Sequence, residues 1–63
     1  MMKFYRYYGY SYGERVAGMI IAPNKVEAEK LLKKTYSDYN LWSDKTIETV
    51  HFNENNVCEI YYG

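Results

Sequence analysis

One stretch of this chain, Asn24 to Tyr39, has the pattern of a helix, and it fixes what the other residues can build. Its apolar and aromatic positions recur at spacings of three and four, which places them on one stripe of a helix: Ala28, Leu31, Leu32, Thr35, Tyr36 and Tyr39. Asn24 can accept a hydrogen bond from a free backbone N–H of the first turn, and Glu27 can reach back, in a variant of the capping box. The sequence therefore predicts one amphipathic helix whose stripe covers the core.

The residues before this helix predict a β-hairpin. Met2–Tyr10 is dense in aromatic residues and lacks a helical period, which favours a strand. Ser11–Gly13 should reverse the chain, with the glycine at a positive φ. Glu14–Ala22 follows as a second strand, in which Gly18 marks a bulge or a close approach of another group.

The residues after the helix predict two more strands. Leu41 and Trp42 are expected to close the open end of the core, Thr46–Phe52 to form the third strand and Val57–Tyr62 the fourth, with the loop at residues 53–56 between them. The chain of 63 residues has room for one domain, spanning 1–63. The predicted fold is α+β in ββαββ order, with a four-stranded antiparallel or mixed sheet and one helix on one face.

A single helix covers only one face of such a sheet. We expect the helix side to receive Ile47, Thr49, His51, Cys58, Ile60 and Tyr62, because the opposite choice would bury Glu48 and Glu59. The uncovered face then carries a patch of apolar and aromatic residues: Tyr5, Tyr7, Met19, Ile21, Val50, Phe52, Val57 and Tyr61. A contiguous exposed patch of this kind marks an interaction site.

Tyrosine is the outlier of the composition. The chain has nine tyrosines, and five of them fall between Tyr5 and Tyr12. Tyrosine offers a large contact area at a low cost in rotamer entropy and is enriched at interfaces. We therefore predict a partner-binding surface made of Tyr5, Tyr7, Tyr10, Tyr12, Phe52 and Tyr61. The competing interpretation is that many of these rings fill a small core.

Two kinds of partner suit this surface. The favoured one is a protein, either a host protein or a second copy of the chain in a homodimer. The alternative is single-stranded nucleic acid, because Lys3 and Arg6 alternate with rings on which bases can stack. Eight basic and eight acidic side chains cancel, however, so no global field attracts nucleic acid.

Neither a catalytic site nor a cofactor or metal site is predicted. A single cysteine excludes an internal disulfide, and one cysteine with one histidine is too few for a usual structural zinc site. His51 and Cys58 are expected to pair across strands, an arrangement that activates a thiol, but no third orienting group is evident. Glu48 and Glu59 are better explained as a solvated pair than as an acid and a base. No phosphate-binding glycine motif occurs.

The sequence also predicts a cytoplasmic protein. The N-terminal residues lack the apolar core of a signal peptide, and no run of residues is long and apolar enough to span a membrane. We therefore expect no membrane partner.

The passage from Ile20 to Leu31, a strand ending in alanine followed by a capped helix that begins with Glu27 and Ala28, resembles the DpnD/PcfM-like small proteins of plasmids and phages. The resemblance implies an origin in a bacterial mobile element, where small domains often bind and block a host protein, as anti-CRISPR proteins do. That family has no settled activity, so the resemblance assigns no functional residue.

Overall fold

The computed structural model describes residues 1–58 of the chain. Its strands are β1 (Lys3–Ser11), β2 (Glu14–Ala22) and β3 (Ser43–Thr49), and its α-helix, α1, is Lys25–Thr35. A 3-10 turn, Tyr39–Leu41, lies between α1 and β3. The strands form a three-stranded antiparallel sheet in the order β2-β1-β3, and α1 packs on one face of it.

The hairpin of β1 and β2 has the predicted bounds within a residue. Ser11 lies opposite Glu14, so that Tyr12 and Gly13 alone form the turn. Both have positive φ, 50° and 81° respectively, which is the conformation of a type I′ turn. The prediction that Gly13 takes a positive φ is confirmed. This turn matches the right-handed twist of the strands and fixes the register of the whole hairpin.

The predicted start of the helix is confirmed, and its predicted end is wrong. The side chain of Asn24 accepts a hydrogen bond of 2.9 Å from the backbone N–H of Glu27. The helix ends at Thr35 because Tyr36 is extended, with its N–H bonded to the carbonyl of Leu32. Tyr39 nevertheless reaches the core from the 3-10 turn, so the predicted stripe is divided between two elements.

The predicted four-stranded sheet in ββαββ order is wrong. β3 begins at Ser43 rather than Thr46, because a positive φ of 52° at Asp44 and a shift of the ladder let Ser43 pair with Tyr10. The chain leaves the sheet after Val50, whose N–H donates to the carbonyl of Phe4.

In place of a fourth strand, the described residues show a tight turn. The side-chain oxygen of Asn53 accepts from the backbone N–H groups of Asn55 and Val57, and Phe52 and Cys58 form an isolated bridge. This side-chain capping closes the loop locally, and no ladder follows within residues 1–58. The rest of the predicted fourth strand lies outside the described residues.

The core lies between α1 and the sheet. Its buried residues come from every element: Tyr5, Ile20, Ala22, Ala28, Leu32, Tyr39, Trp42 and Ile47, with Tyr7, Val16 and Tyr36 packed against them. Trp42 closes the core as predicted, but Leu41 is exposed. Leu31, expected in the buried stripe, is also exposed.

The faces predicted for the residues of β1 are wrong, and those predicted for Ile47, Glu48 and Thr49 of β3 are correct. On β1, Tyr5 lies opposite Ile20 and Tyr7 opposite Gly18, and directly opposed residues share a face. Tyr5 and Tyr7 are therefore on the helix side, and their predicted place on the uncovered face is wrong. On β3, Ile47 lies opposite Tyr7 and Thr49 opposite Tyr5, so both share the helix side as predicted, and Glu48, opposite Arg6, lies on the other side. Ile47 and Val50 are buried, whereas Thr49 and His51 are exposed.

Candidate functional site

The side of the sheet opposite α1, called the open face below, is the candidate site. The register of the strands places the following residues on it: Phe4, Arg6, Tyr8 and Tyr10 from β1; Arg15, Ala17, Met19 and Ile21 from β2; Thr46 and Glu48 from β3. Met19 and Ile21 were predicted to lie on the uncovered face, and they do.

One end of the open face is apolar. Phe4, Met19, Ile21 and Phe52 form what we call the apolar patch, and each is exposed, Met19 by 57% and Ile21 by 52%. Phe52 arrives from the segment after β3, and its ring meets the ring of Phe4 edge-on, with centroids 5.3 Å apart. Phe4 and Ile21 are directly opposed across β1 and β2. Four large apolar side chains thus gather at one place on the surface.

A polar network lies beside the apolar patch. Arg6 Nε donates to Glu48 Oε2 at 2.7 Å, and the hydroxyl of Tyr8 donates to Glu48 Oε1 at 3.4 Å. The guanidinium of Arg6 also lies 5.7 Å from the centroid of the Tyr8 ring, within the range of a cation–π contact. The charges of Arg6 and Glu48 compensate each other, so this part of the face is polar with a small local field.

Tyr12, at the tip of the hairpin, has an unfavourable backbone conformation. Tyr12 is 83% exposed, and its φ of 50° lies in the left-handed region. That region costs a residue with a side chain about 1–2 kcal/mol relative to the right-handed one. An exposed bulky ring at this position gains no packing within the described residues that offsets the cost.

The helix side holds an aromatic cluster made of Tyr7, Tyr36, Tyr39 and Trp42. The hydroxyls of Tyr7 and Tyr36 are 2.8 Å apart and share a hydrogen bond. The rings of Tyr36 and Tyr39 have centroids 4.8 and 5.1 Å from that of Trp42. These contacts are those of a packed interior.

The surroundings of the tyrosine hydroxyls in this cluster suit a structural role. Burial, the hydrogen bond with Tyr36 and the nearby Tyr36 charge raise the pKa of Tyr7 to about 12. Burial, the charge of Glu29 and the hydrogen bond to Glu29 raise the pKa of Tyr39. Both hydroxyls therefore stay neutral at physiological pH, which does not suit a general base.

Within the part of the chain that the structure describes, two grooves flank α1. One, of about 550 Å³, lies between α1 and β3 and is lined by Lys25, Glu29 and Lys45 among others; Lys45 Nζ donates to the carbonyl oxygens of Tyr39 and Asn40. The other, of about 320 Å³, lies between α1 and β2 and has apolar walls that include Ile20, Ile21 and Leu31.

The structure separates the predicted site residues. Tyr5 and Tyr7 are on the helix side, Tyr5 only 3% exposed. Tyr10 and Phe52 are exposed on or beside the open face, and Tyr12 is at the hairpin tip. Tyr61 lies outside the described residues.

Other residues of the open face were not predicted. Phe4 and Tyr8 belong to the opposite alternation of β1, and the Arg6–Glu48 ion pair depends on the pairing of β1 with β3. The register set by the turn at Tyr12 and Gly13 could have identified Phe4 and Tyr8, because Met19 and Ile21 were correctly assigned to this face.

The predicted pairing of His51 with Cys58 is wrong, because Cys58 lies opposite Phe52. The asparagine-capped turn shortens the loop by closing it from Asn53 to Val57. Within residues 1–58, no group of three or more histidine, cysteine, aspartate or glutamate side chains could hold a metal ion.

Comparisons of the chain with protein-family models, with curated proteins and with solved structures gave no match. The resemblance to the DpnD/PcfM-like proteins stays a prediction, since no comparison bears on it. In the part of the chain that the structure describes, no helix is long and apolar enough to cross a membrane.

Proposed function

We propose that this protein is a small non-enzymatic module that binds another protein through the open face of its sheet, in the cytoplasm. The observation that supports the proposal is the apolar patch, where Phe4, Met19, Ile21 and Phe52 are exposed on the side opposite α1. Removing such side chains from water on binding contributes about 25 cal/mol for each Å² of apolar surface. A host protein is the partner that the DpnD/PcfM-like resemblance implies.

The surroundings of the apolar patch suit a protein interface. Protein interfaces combine an apolar centre with a polar rim, and they are enriched in aromatic residues, methionine and arginine. The open face has this composition, with the Arg6–Glu48 pair and Tyr8 beside the apolar patch. Tyr10 and Tyr12 extend the aromatic surface toward the hairpin tip. The strained backbone of Tyr12 supports a role there, because strain that packing does not require is common at functional sites.

A pair of matched variants tests the proposal. Phe4→Ser/Ile21→Ser removes half of the apolar patch, whereas Val26→Ser/Leu41→Ser removes two exposed apolar side chains elsewhere on the surface. Tagged protein is used to capture partners from a bacterial lysate, and a protein captured by the wild type is then purified and titrated against all three forms. We expect the patch variant to lose affinity by at least about tenfold, which corresponds to about 1.4 kcal/mol, and the control variant to keep it. Equal affinity of both variants, with thermal unfolding showing that both are folded, would refute the proposal.

A second candidate function is the binding of single-stranded nucleic acid. Phe4, Tyr8 and Tyr10 alternate along the open side of β1 with Arg6 among them, an arrangement on which successive bases can stack. The compensation of Arg6 by Glu48 argues against it. Titration of labelled oligonucleotides at low and moderate salt separates the two candidates, because binding through phosphates weakens as salt rises.

A further inference from the structure

The sheet has two edges, and they differ in how they are protected. Edge strands are templates for pairing with another chain unless charges, bulges or short length prevent it. β3 carries Asp44, Lys45 and Glu48, and its ladder with β1 is interrupted by a shift near the positive-φ residue Asp44. β2 has nine residues, and the seven from Val16 to Ala22 carry no charge. The β2 edge is therefore the unprotected one.

The hydrogen bonds that β1 makes with β2 and β3 show which backbone groups of β2 point away from the sheet. The carbonyl of Phe4 accepts from Val50, so Phe4 directs its backbone groups toward the β3 side of β1. Because this direction alternates along a strand, Tyr5 and Tyr7 bond toward β2, where they face Ile20 and Gly18. The residues of β2 that alternate with these partners direct their N–H and C=O groups outward from the edge of the sheet: Arg15, Ala17, Met19 and Ile21. No described strand pairs with that side of β2.

We propose that a second copy of the chain pairs with this edge, β2 against β2, in an antiparallel arrangement centred on Gly18. A two-fold axis perpendicular to the sheet keeps the faces of the two copies aligned and brings each residue opposite one of the same face. Centred on Gly18, the pairing sets Ala17 opposite Met19 of the other copy, so their outward groups bond to each other. It also sets Arg15 opposite Ile21 and Val16 opposite Ile20, so no like charges meet across the strands. The product is a six-stranded sheet with both helices on one side.

The groove between α1 and β2 supports a second copy as the occupant. It runs along the same edge, and Leu31 on its wall is 43% exposed although it belongs to the apolar stripe of α1. Pairing about the two-fold axis brings the second helix toward this groove, where Leu31 of each copy can be buried. The edge thus offers backbone groups in the sheet layer and apolar surface in the helix layer.

The size of this interface sets the expected strength of the dimer. Nine residues of strand are about 30 Å long, and a sheet with a helix on it is about 15 Å deep. The interface would bury about 900 Å² in total, which is at the low end for specific protein complexes. We therefore expect a dimer in the micromolar to millimolar range. The dimer does not depend on the proposed function, since its backbone contacts are at the β2 edge rather than on the open face. Met19 and Ile21 of the apolar patch also line the groove between α1 and β2.

Sedimentation equilibrium of the full chain from about 10 µM to about 1 mM tests the proposal. The wild type should approach twice the 7.5 kDa mass of one chain as the concentration rises. Ala17→Lys/Met19→Lys sets lysine opposite lysine twice across the axis, whereas Ala17→Lys/Met19→Glu sets lysine opposite glutamate twice. We expect the dissociation constants of these two variants to differ by about tenfold or more, with the lysine–glutamate form tighter. Added salt should reduce that difference.

Each outcome decides the proposal. A wild type that stays monomeric over the whole range overturns it, and so does a dimer that both variants keep with equal affinity. Loss of the dimer in both variants overturns the register centred on Gly18. If the lysine–lysine variant does not fold, Ala17→Pro replaces it, because proline there removes an outward N–H and keeps the bonds to β1; Thr49→Pro, at the other edge, is its control. A failure of the proposed function has a different signature, which is retained partner affinity in the Phe4→Ser/Ile21→Ser variant.

Discussion

Replacing Gly18 with alanine should destabilise the protein through a single contact. A Cβ atom at this position would lie 2.4 Å from the hydroxyl oxygen of Tyr7, 2.6 Å from Cζ and 2.8 Å from Cε1. Real carbon atoms do not approach so closely, so the ring of Tyr7 must move. The close approach predicted for Gly18 from its place within a strand is therefore confirmed, and it is a tyrosine ring that lies over the glycine.

The size of the effect follows from what Tyr7 would lose. Its hydroxyl shares a 2.8 Å hydrogen bond with Tyr36, which contributes about 1 kcal/mol. Its ring stacks on Trp42 and meets Tyr36 edge-on, and losing such contacts costs about 1 kcal/mol more. Alanine is better than glycine in a strand by about 0.5–1 kcal/mol. The net loss is about 1–1.5 kcal/mol, or roughly 4–12 °C in the midpoint of thermal unfolding for a domain of this size.

A double-mutant cycle isolates the contact. Chemical denaturation gives the free energy of unfolding for the wild type, Gly18→Ala, Tyr7→Leu and the double variant. In the Tyr7→Leu background the clash is absent, so Gly18→Ala should be neutral or stabilising by up to about 1 kcal/mol. The same destabilisation in both backgrounds would refute this explanation, as would a single variant that is as stable as the wild type.

Three other changes test separate parts of the structure. Tyr12→Asn should raise the free energy of unfolding by about 1 kcal/mol, because asparagine tolerates the left-handed backbone of the type I′ turn; urea denaturation measures it. Trp42→Ala should cost about 3–5 kcal/mol, enough to unfold most of the chain at 25 °C, whereas Trp42→Phe should stay folded by circular dichroism. Because the pKa of Tyr7 is raised to about 12 from 10.0, the stability that Tyr7 provides is present below pH 10 and is lost toward pH 12. Tyr7→Phe should reduce that loss in unfolding experiments at alkaline pH.

The parts of the fold that the sequence predicted correctly are those determined by local chemistry. The start of α1 depends on the hydrogen bond between Asn24 and Glu27, and the hairpin depends on Gly13 at a positive φ. Both effects act within a few residues, so the residue types are sufficient to identify them. The ion pair from Lys33 to Glu29, one helical turn apart at 3.5 Å, is of the same kind.

The errors come from contacts between distant residues. The predicted sixteen-residue helix from Asn24 to Tyr39 is α-helical only in α1, and Tyr39 reaches the core from the 3-10 turn. A stripe of apolar positions does not show where the backbone changes direction. β3 starts at Ser43 because Asp44 has a positive φ and the register of the ladder with β1 shifts there. In each case tertiary contacts override the preference of the segment.

The sequence predicted only some residues of the candidate site, because the face that each residue of β1 takes depends on its pairing with β2. Aromatic residues occur on both alternations of β1, so β1 alone does not show which rings face α1. A two-residue turn, however, sets Tyr5 opposite Ile20 and Phe4 opposite Ile21. Combining that register with the correct faces of β2 would have moved Tyr5 and Tyr7 into the core and Phe4 and Tyr8 onto the open face. The missing step was to treat the two strands as one unit.

Several of the tyrosines fill the core, as the competing interpretation of the tyrosine excess held. A chain of 63 residues can bury few side chains, so large rings fill its core with a small number of positions, as Tyr5, Tyr7 and Tyr39 do. Tyrosine suits such a thin core because its hydroxyl can reach a partner at the margin, as the bonds from Tyr7 to Tyr36 and from Tyr39 to Glu29 show. Packing does not account in this way for Tyr12, which is exposed and conformationally strained. A ring kept at a cost to stability, beside an open sheet face, is the kind of residue that binding would explain.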